Sequence, residues 1–399
     1  MRIAGIIAEY DPFHKGHAAH IAATRAENGG NATHVVAVIS GNFTQRGEPA
    51  LLSKYHRAEM ALSAGADLIL ELPLPWAMSP AESFARGGVA ILDALGCVDV
   101  LSFGSECGDI TVLKQLAAVS KHPEYQNALR HALANGIPYA AAGQAAAAAL
   151  LGDDAAAHLA TPNNTLGIEY IRAAAEQGTD FEFFTLQRQG ALHHETAPNQ
   201  GFAAASLLRK WIREGHIEQA ANYMPEASAT VLFDAHAQEK TATSTNILES
   251  ALLARLRTMT PLDFASLPWL SEGLENRLYR ASRNTTNYTD LLTELKTRRY
   301  PRARLRRVLW AALIGLSAQD CEGLPPYIRV LGMNKRGREI LNVASPTLPL
   351  LTRTSQLNAL DDRCRHLFSL ECTSTDLHAL CMPIPEPCGT GHTNKLIVK

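Results

Sequence analysis

The opening of the chain constrains it most. Six apolar residues, Ile3–Ala8, run into Glu9-Tyr10-Asp11-Pro12, and the sequence then reads His14-Lys15-Gly16-His17 ahead of Ala18–Ala26, a run of good helix formers. That order predicts a buried strand, a loop and a helix start. Glycine at 16 lets backbone approach a phosphate, because no Cβ intrudes. A helix N-terminus adds unpaired N–H groups and the positive end of its dipole. Two imidazoles three residues apart share one face of the first turn. They can donate hydrogen bonds to oxygens that gain charge as pyrophosphate leaves, an arrangement that acts mostly on the transition state. The tetrapeptide alone is a weak signal. Its place after a first buried strand, with Asp11-Pro12-Phe13 ahead, gives it weight.

The rest of the first half fits a sheet around that strand. Thr33–Ser40, Ala66–Leu72 and Val98–Phe103 read as further buried strands, and Phe181–Leu186 as the last. Helical stretches such as Lys54–Ala64 and Ser83–Leu95 lie between them, so a doubly wound parallel sheet is expected, with ligands at the carboxyl ends of its strands. Alanine-rich Tyr139–Ala160 reads as helices with a turn, and Leu166–Ala175 as a helix. After about residue 215, strand-like runs become scarce and segments such as Ile247–Met259 and Asp290–Lys296 read helical. A length of 399 residues suits two domains: an α/β unit over 1–215 and a mainly helical unit over 216–399. The tail after Pro383, rich in Pro, Gly and Thr, is expected to be loose.

Charge divides the same way. Residues 1–180 carry 11 Lys and Arg against 18 Asp and Glu, whereas 181–399 carry 26 against 21. Only the second half has the charge to approach a polyanion. No apolar stretch reaches the ~18 residues a membrane helix needs, and the N-terminal run is too short for a signal peptide. Seven cysteines without a CxxC pair suggest reduced thiols, hence a cytoplasmic protein. Cys364, Cys372, Cys381 and Cys388 lack the short knuckle spacing of zinc sites, so no metal centre is expected; His193-His194-Glu195 is not HExxH and reads as loop.

The motifs resemble a known family. HxGH after a first strand is similar to the nucleotidylyltransferase superfamily, relatives of class I aminoacyl-tRNA synthetases. Glu9-Tyr10-Asp11-Pro12-Phe13-His14-Lys15-Gly16-His17 resembles the EYNPFHNGH opening of the bacterial tRNA(Met) cytidine acetate ligase family. Ser40-Gly41-Asn42-Phe43-Thr44-Gln45-Arg46-Gly47-Glu48-Pro49-Ala50 resembles its SGNFxQRGEPA segment. Gly65–Pro73, Phe103-Gly104-Ser105-Glu106, Pro162–Tyr170, Arg188-x-Gly190-Ala191, Glu272–Arg277 and Lys296–Tyr300 follow in family order.

The resemblance implies a Rossmann-like, HUP-type nucleotidyltransferase domain followed by a helical one. It implies that acetate attacks the α-phosphate of ATP, and that the acetyl group then passes to N4 of the wobble cytidine of elongator tRNA(Met). His14, Gly16 and His17 would be catalytic. ATP would lie along Ile7, Ala8, Glu9, Tyr10, Asp11, Pro12, Phe13, His14, Lys15, Gly16, His17, Ala18, Ala19 and His20, with Gly104, Asn163 and Arg188. Residue chemistry agrees: Gly104 offers bare backbone at a strand end, Asn163 a paired donor and acceptor, and Arg188 a fixed fork for phosphate. Each also has a purely structural reading, as a turn residue, a helix cap and a surface residue respectively.

Four further residues are candidates for holding acetate or phosphate. Arg46 and Lys54 flank the second polar loop, which reads equally as a solvated loop. The family's FASATAIR segment appears as Phe202-Ala203-Ala204-Ala205-Ser206-Leu207-Leu208-Arg209, which keeps Arg209, has Ser206 where Thr is usual and Ala204 where Ser is usual, leaving Ser206 and Arg209 as the candidates. Segment 277–307 holds ten Lys and Arg against two acidic residues, with Tyr279, Tyr288 and Tyr300 interleaved. Lys296, Arg298, Arg299, Arg304, Arg306 and Arg307 are the candidates for neutralising tRNA phosphates, with a solvated helix face as the plain alternative. Magnesium would accompany ATP, held by phosphate and water. No obligate protein partner and no membrane contact are expected. The rival functional reading is a nucleotidylyltransferase that adenylylates a small phosphorylated metabolite; the basic helical half is what such an enzyme would not need.

Overall fold

The computed structural model describes residues 1–188, 197–241, 244–271, 273–297 and 299–399. Gly190, Ala191, the His193-His194-Glu195 run, Glu272 and Arg298 lie outside the described residues. Five strands lie close to where the apolar runs predict them: β1 Ile3–Ala8, β2 His34–Ser40, β3 Leu68–Leu72, β4 Val100–Ser105 and β5 Glu182–Gln187. All four pairings among them are parallel, and β1 sits centrally, between β2 and β4.

The continuous apolar character of these strands follows from cover on both faces. Along β2, Val36 and Val38 enter one core while Val35, Ala37 and Ile39 enter the other, the two-residue period of a strand. The first core takes Ile3 and Ile7 of β1 and Leu68, Leu70 and Leu72 of β3, packed against helices Ala81–Ala94 and Pro162–Gln177. The second takes Ile6 and Ile69 with helix Lys54–Ser63, and with Leu207, Leu208, Ile212 and Leu232 from helices Ala205–Arg213 and Glu226–Ala237. Each such aliphatic side chain, once fully buried, contributes roughly 1.5–3 kcal/mol.

The chain divides differently from the expected break at residue 215. Residues up to Ala237 still cover the sheet. Helices Glu249–Thr258, Leu274–Asn284, Tyr288–Leu295 and Arg302–Ile314 then build a separate core around Leu256, Phe264, Leu278, Leu295 and Leu305. After that unit the chain returns to the sheet. β6 Ile328–Met333 pairs antiparallel with β3, and β7 Leu350–Leu351 and β8 Ile397–Val398 both pair with β6. β5 is therefore not the last strand. The run Ile328-Arg329-Val330-Leu331-Gly332-Met333 is short and interrupted by Arg and Gly, which hides it among helices. The tail is docked rather than loose: Ile397 sits opposite Gly332, and Lys240 pairs with Glu386 at 2.7 Å.

Helix Arg302–Ile314 belongs to both bodies. Leu305, Val308, Leu309 and Ala312 face the helical core, whereas Trp310, Ala311 and Ile314 face the core of the sheet. Among the described residues, no helix is long and apolar enough to cross a membrane.

Candidate active site

β1 ends at Ala8, and the next six residues form the turn that delivers α1, Lys15–Arg25. Tyr10 takes a left-handed φ of 53°, and the Asp11–Pro12 peptide is cis. Tyr10 and Phe13 are buried and pack on each other and on His17, with ring centroids 4.8 to 5.4 Å apart. This aromatic wedge fixes the helix start.

The two histidines close that start reciprocally. The Gly16 N–H donates to His14 Nδ1 at 3.0 Å, and the His14 N–H donates to His17 Nδ1 at 3.2 Å. It is a capping box with imidazole in both roles. The rings stack with centroids 3.7 Å apart. Each Nδ1 accepts a hydrogen bond, so each neutral ring carries its proton on Nε2. No protein partner for either Nε2 is seen among the described residues, which leaves two N–H donors side by side. Burial and the charges of Arg188 and Arg209 hold His14 down at about 3; burial, with His14 and Arg188, holds His17 well below the usual imidazole range. His20, at about 4 for the same leading reason, meets Ser102 Oγ at 2.9 Å, and Ser102 meets Thr24 Oγ1 at 2.7 Å. Gly16 has a role the sequence did not reveal: a Cβ there would come 2.9 Å from His14 Cε1, so the missing side chain makes room for the capping ring.

The other expected ATP residues gather at the same end of the sheet. Ile7 and Ala8 end β1, while Lys15 and Ala19 are the exposed positions of α1's first turns, beside half-buried Ala18. Gly104 lies in β4 against the stem of Arg188, whose Cγ would be 3.4 Å from an added Cβ. Arg188 donates to Asn163 Oδ1 at 3.3 Å, and Asn163 Nδ2 donates to Glu106 Oε1 at 2.6 Å. Glu106 also accepts the Asn163 and Asn164 N–H groups at the start of helix Pro162–Gln177. The Glu106–Asn163–Arg188 relay aims the guanidinium. Asn163 thus links Glu106 to Arg188 and keeps a second N–H and a second lone pair.

Arg209 donates to the Asp11 carbonyl at 2.5 Å and lies 3.6 Å from Asp11 Oδ2. Ser206 sits half-buried in the first turn of the same helix, whose N-cap Ala204 supplies no side-chain hydrogen bond. Asp11 Oδ1 takes the Leu51 N–H and Glu9 Oε1 takes the Gln45 N–H, each at 2.7 Å, tying the second polar loop to the first. Burial raises the Glu9 carboxyl, with the Gln45 N–H, Arg209 and Arg46 pulling it back. Arg46 is thus close to Glu9 and half-buried.

Lys54 is elsewhere. Its ammonium is fully buried, 2.5 Å from Glu71 and 3.7 Å from Glu371, with Arg329 3.1 Å from Glu71 on the far side. It stabilises the junction of β3, β6 and helix Asp362–Ala379 and is not free to meet a substrate. The sequence reading missed Arg57, fully buried on α2 (Lys54–Ser63), which donates to the carbonyls of Glu9, Ser40, Gly41 and Leu52 and so joins the ends of β1 and β2. An arginine one turn into a helix carries no signal of that task.

The basic segment is split by the structure. Lys296 and Arg299 are exposed, as are Arg280 and Arg302. Arg304 instead donates to the Trp269 carbonyl at 2.8 Å and Ser271 Oγ at 2.6 Å, Arg306 pairs with Glu48, and Arg307 donates to the Gln45 carbonyl at 3.0 Å. These three are committed to protein partners.

Comparisons with known proteins give the chain its relatives. Residues 1–390 match the HIGH Nucleotidyl Transferase family. A tRNA(Met) cytidine acetate ligase from Thermoanaerobacter sp. is 36% identical over 406 residues, covering 100% of both chains. One from Syntrophotalea carbinolica is 40% identical, covering 90% of this chain and 86% of its own. Two crystal structures of Thermotoga maritima TmcAL, apo and bound with alpha-thio ATP, superpose with TM-scores of 0.93 and 0.90 at 31% identity; each covers this whole chain, and 99% and 100% of the solved chains respectively. On matches of that length and identity, the chain belongs to the tRNA(Met) cytidine acetate ligase family, built on a Rossmann-like HIGH nucleotidyl transferase fold.

Proposed function

We propose that the protein activates acetate with ATP and acetylates N4 of the wobble cytidine of elongator tRNA(Met). An acetate oxygen attacks the α-phosphorus, the bond to the α–β bridging oxygen breaks, and pyrophosphate leaves. N4 then attacks the acetyl carbonyl carbon, loses a proton and expels AMP. The observation that carries the reading is the pair of neutral, stacked imidazoles at the N-terminus of α1, each with Nε2–H free to donate. Neutral donors suit phosphate oxygens that gain charge only as the bond breaks. In this reading Arg188 and Arg209, whose charges both act on His14, hold the phosphates, and Gly104 leaves room for the nucleotide. Arg46, Ser206 and Arg209 are the candidates for seating acetate or the leaving group.

The relatives bear the name of this reaction, and a solved one holds an ATP analogue. Exposed Lys296, Arg299 and Arg302, with Arg298, would neutralise tRNA phosphates. Magnesium would accompany the triphosphate, held by phosphate and water.

The test is pyrophosphate release by purified protein with ATP plus acetate, plus a panel of phosphorylated metabolites, or plus neither. Release that requires acetate supports the reading. Release that requires a metabolite instead overturns it.

A further inference from the structure

The loop after β2 is a tight hairpin with two working sides. Thr44 and Glu48 pair across it, Phe43 bridges Pro49, and Gly47 turns it with a φ of 68°. On one side the Gln45 N–H holds Glu9 at 2.7 Å and the Leu51 N–H holds Asp11 at 2.7 Å, both beside the ATP site. On the other side the hairpin lies directly on helix Arg302–Ile314. A Cβ on Gly47 would come 2.5 Å from the Arg307 backbone nitrogen. The Phe43 and Trp310 rings, both buried, have centroids 5.1 Å apart. Arg307 donates to the Gln45 carbonyl at 3.0 Å, and Arg306 pairs with Glu48. The single residue Gln45 therefore binds Glu9 through its N–H and Arg307 through its carbonyl.

We infer that Arg306 and Arg307 are positioning residues for acetate activation, setting Glu9 through the 43–49 hairpin, rather than contacts for a polyanion. The inference rests on the acetate-activating reading. The helical unit would then act on the first half-reaction before any tRNA is bound. The Arg306–Glu48 pair is partly exposed, each side chain 29% accessible, so it adds little to stability and its worth lies in placement.

The experiment is acetate-dependent ATP–pyrophosphate exchange without tRNA, in Arg306→Ala, Glu48→Gln, the double variant and Arg306→Lys. A misplacement of about 1 Å can cost up to ~10²-fold, so a fall of about tenfold in kcat is expected in each single variant, no further fall in the double, and partial recovery with Lys. Thermal unfolding should be unchanged. Full exchange in Arg306→Ala with only tRNA affinity lost would overturn the inference. If the unsubstituted protein shows no acetate-dependent exchange, the acetate reading has failed, and calorimetric ATP affinity decides instead. Weaker ATP binding in Arg306→Ala supports the positioning role, and equal binding refutes it.

Discussion

In the proposed mechanism His14 combines two jobs that substitution can separate. Its Nδ1 caps α1 by accepting the Gly16 N–H, and its Nε2–H is the donor assigned to the departing phosphates. Asparagine is also a good N-cap, but it cannot carry a donor as far as Nε2. His14→Asn should lose the ring stacking on His17, roughly 0.5–1.5 kcal/mol of stability, and keep the cap. His14→Ala should lose about 1 kcal/mol more, for the missing cap. Both should lose the same catalytic contribution: one preorganised donor is worth about 10²–10³ in kcat, or ~2.7–4 kcal/mol of barrier. Urea unfolding separates the variants by stability, and acetate-dependent pyrophosphate release with saturating ATP reads kcat. A His14→Asn protein with kcat within about threefold of the unsubstituted one would refute the donor role, whatever its stability.

Other outcomes follow from the same geometry. His14 is held at about 3, and His20 and His378 at about 4, mainly by burial, so below pH 6.5 the unfolded chain binds more protons than the folded one. Stability should therefore fall as pH drops, by up to ~1.4 kcal/mol per unit for each such group; His378→Asn should flatten the acid limb of the urea midpoint against pH between 6.5 and 4.5, and an unaltered limb would contradict its buried neutrality. Glu71→Gln leaves the buried Lys54 and Arg329 without their shared carboxylate and should cost about 3–5 kcal/mol in chemical denaturation, whereas a loss under about 1 kcal/mol would show that the cluster is weakly coupled. Lys296→Ala and Arg299→Ala should each weaken tRNA binding and reduce the slope of log affinity against log salt by about 0.7–0.9; an unchanged slope in both would place the tRNA elsewhere.

The strands and the strand–loop–helix geometry of the first loop are legible because each rests on local signals. Ile3–Ala8 and His34–Ser40 are unbroken apolar runs of strand length, and His14-x-Gly16-His17 sits in the one context that gives it meaning. What escaped the sequence depends on distant partners. β6 could not be placed because its pairing with β3 spans more than half the chain, and nothing in Ile328–Met333 announces an antiparallel neighbour. Lys54 looked like a substrate ligand because its loop is polar, yet Glu371, from a helix near the C-terminus, helps to enclose it. Arg306 and Arg307 looked like part of a uniform basic face, and only the hairpin packed on their helix shows what they hold. Asn163 reads from sequence as a base or ribose contact, whereas its contacts in the fold are Glu106 and Arg188, partners that no local pattern names.

One protein is proposed to use ATP to join acetate to a tRNA base. The most direct measurement supplies purified protein with ATP, isotope-labelled acetate and elongator tRNA(Met), digests the tRNA to nucleosides and follows the label by mass spectrometry. The expected product is labelled N4-acetylcytidine at the wobble position, dependent on ATP and lost in His14→Asn. Acetate-independent turnover of ATP with no label on the tRNA would contradict it.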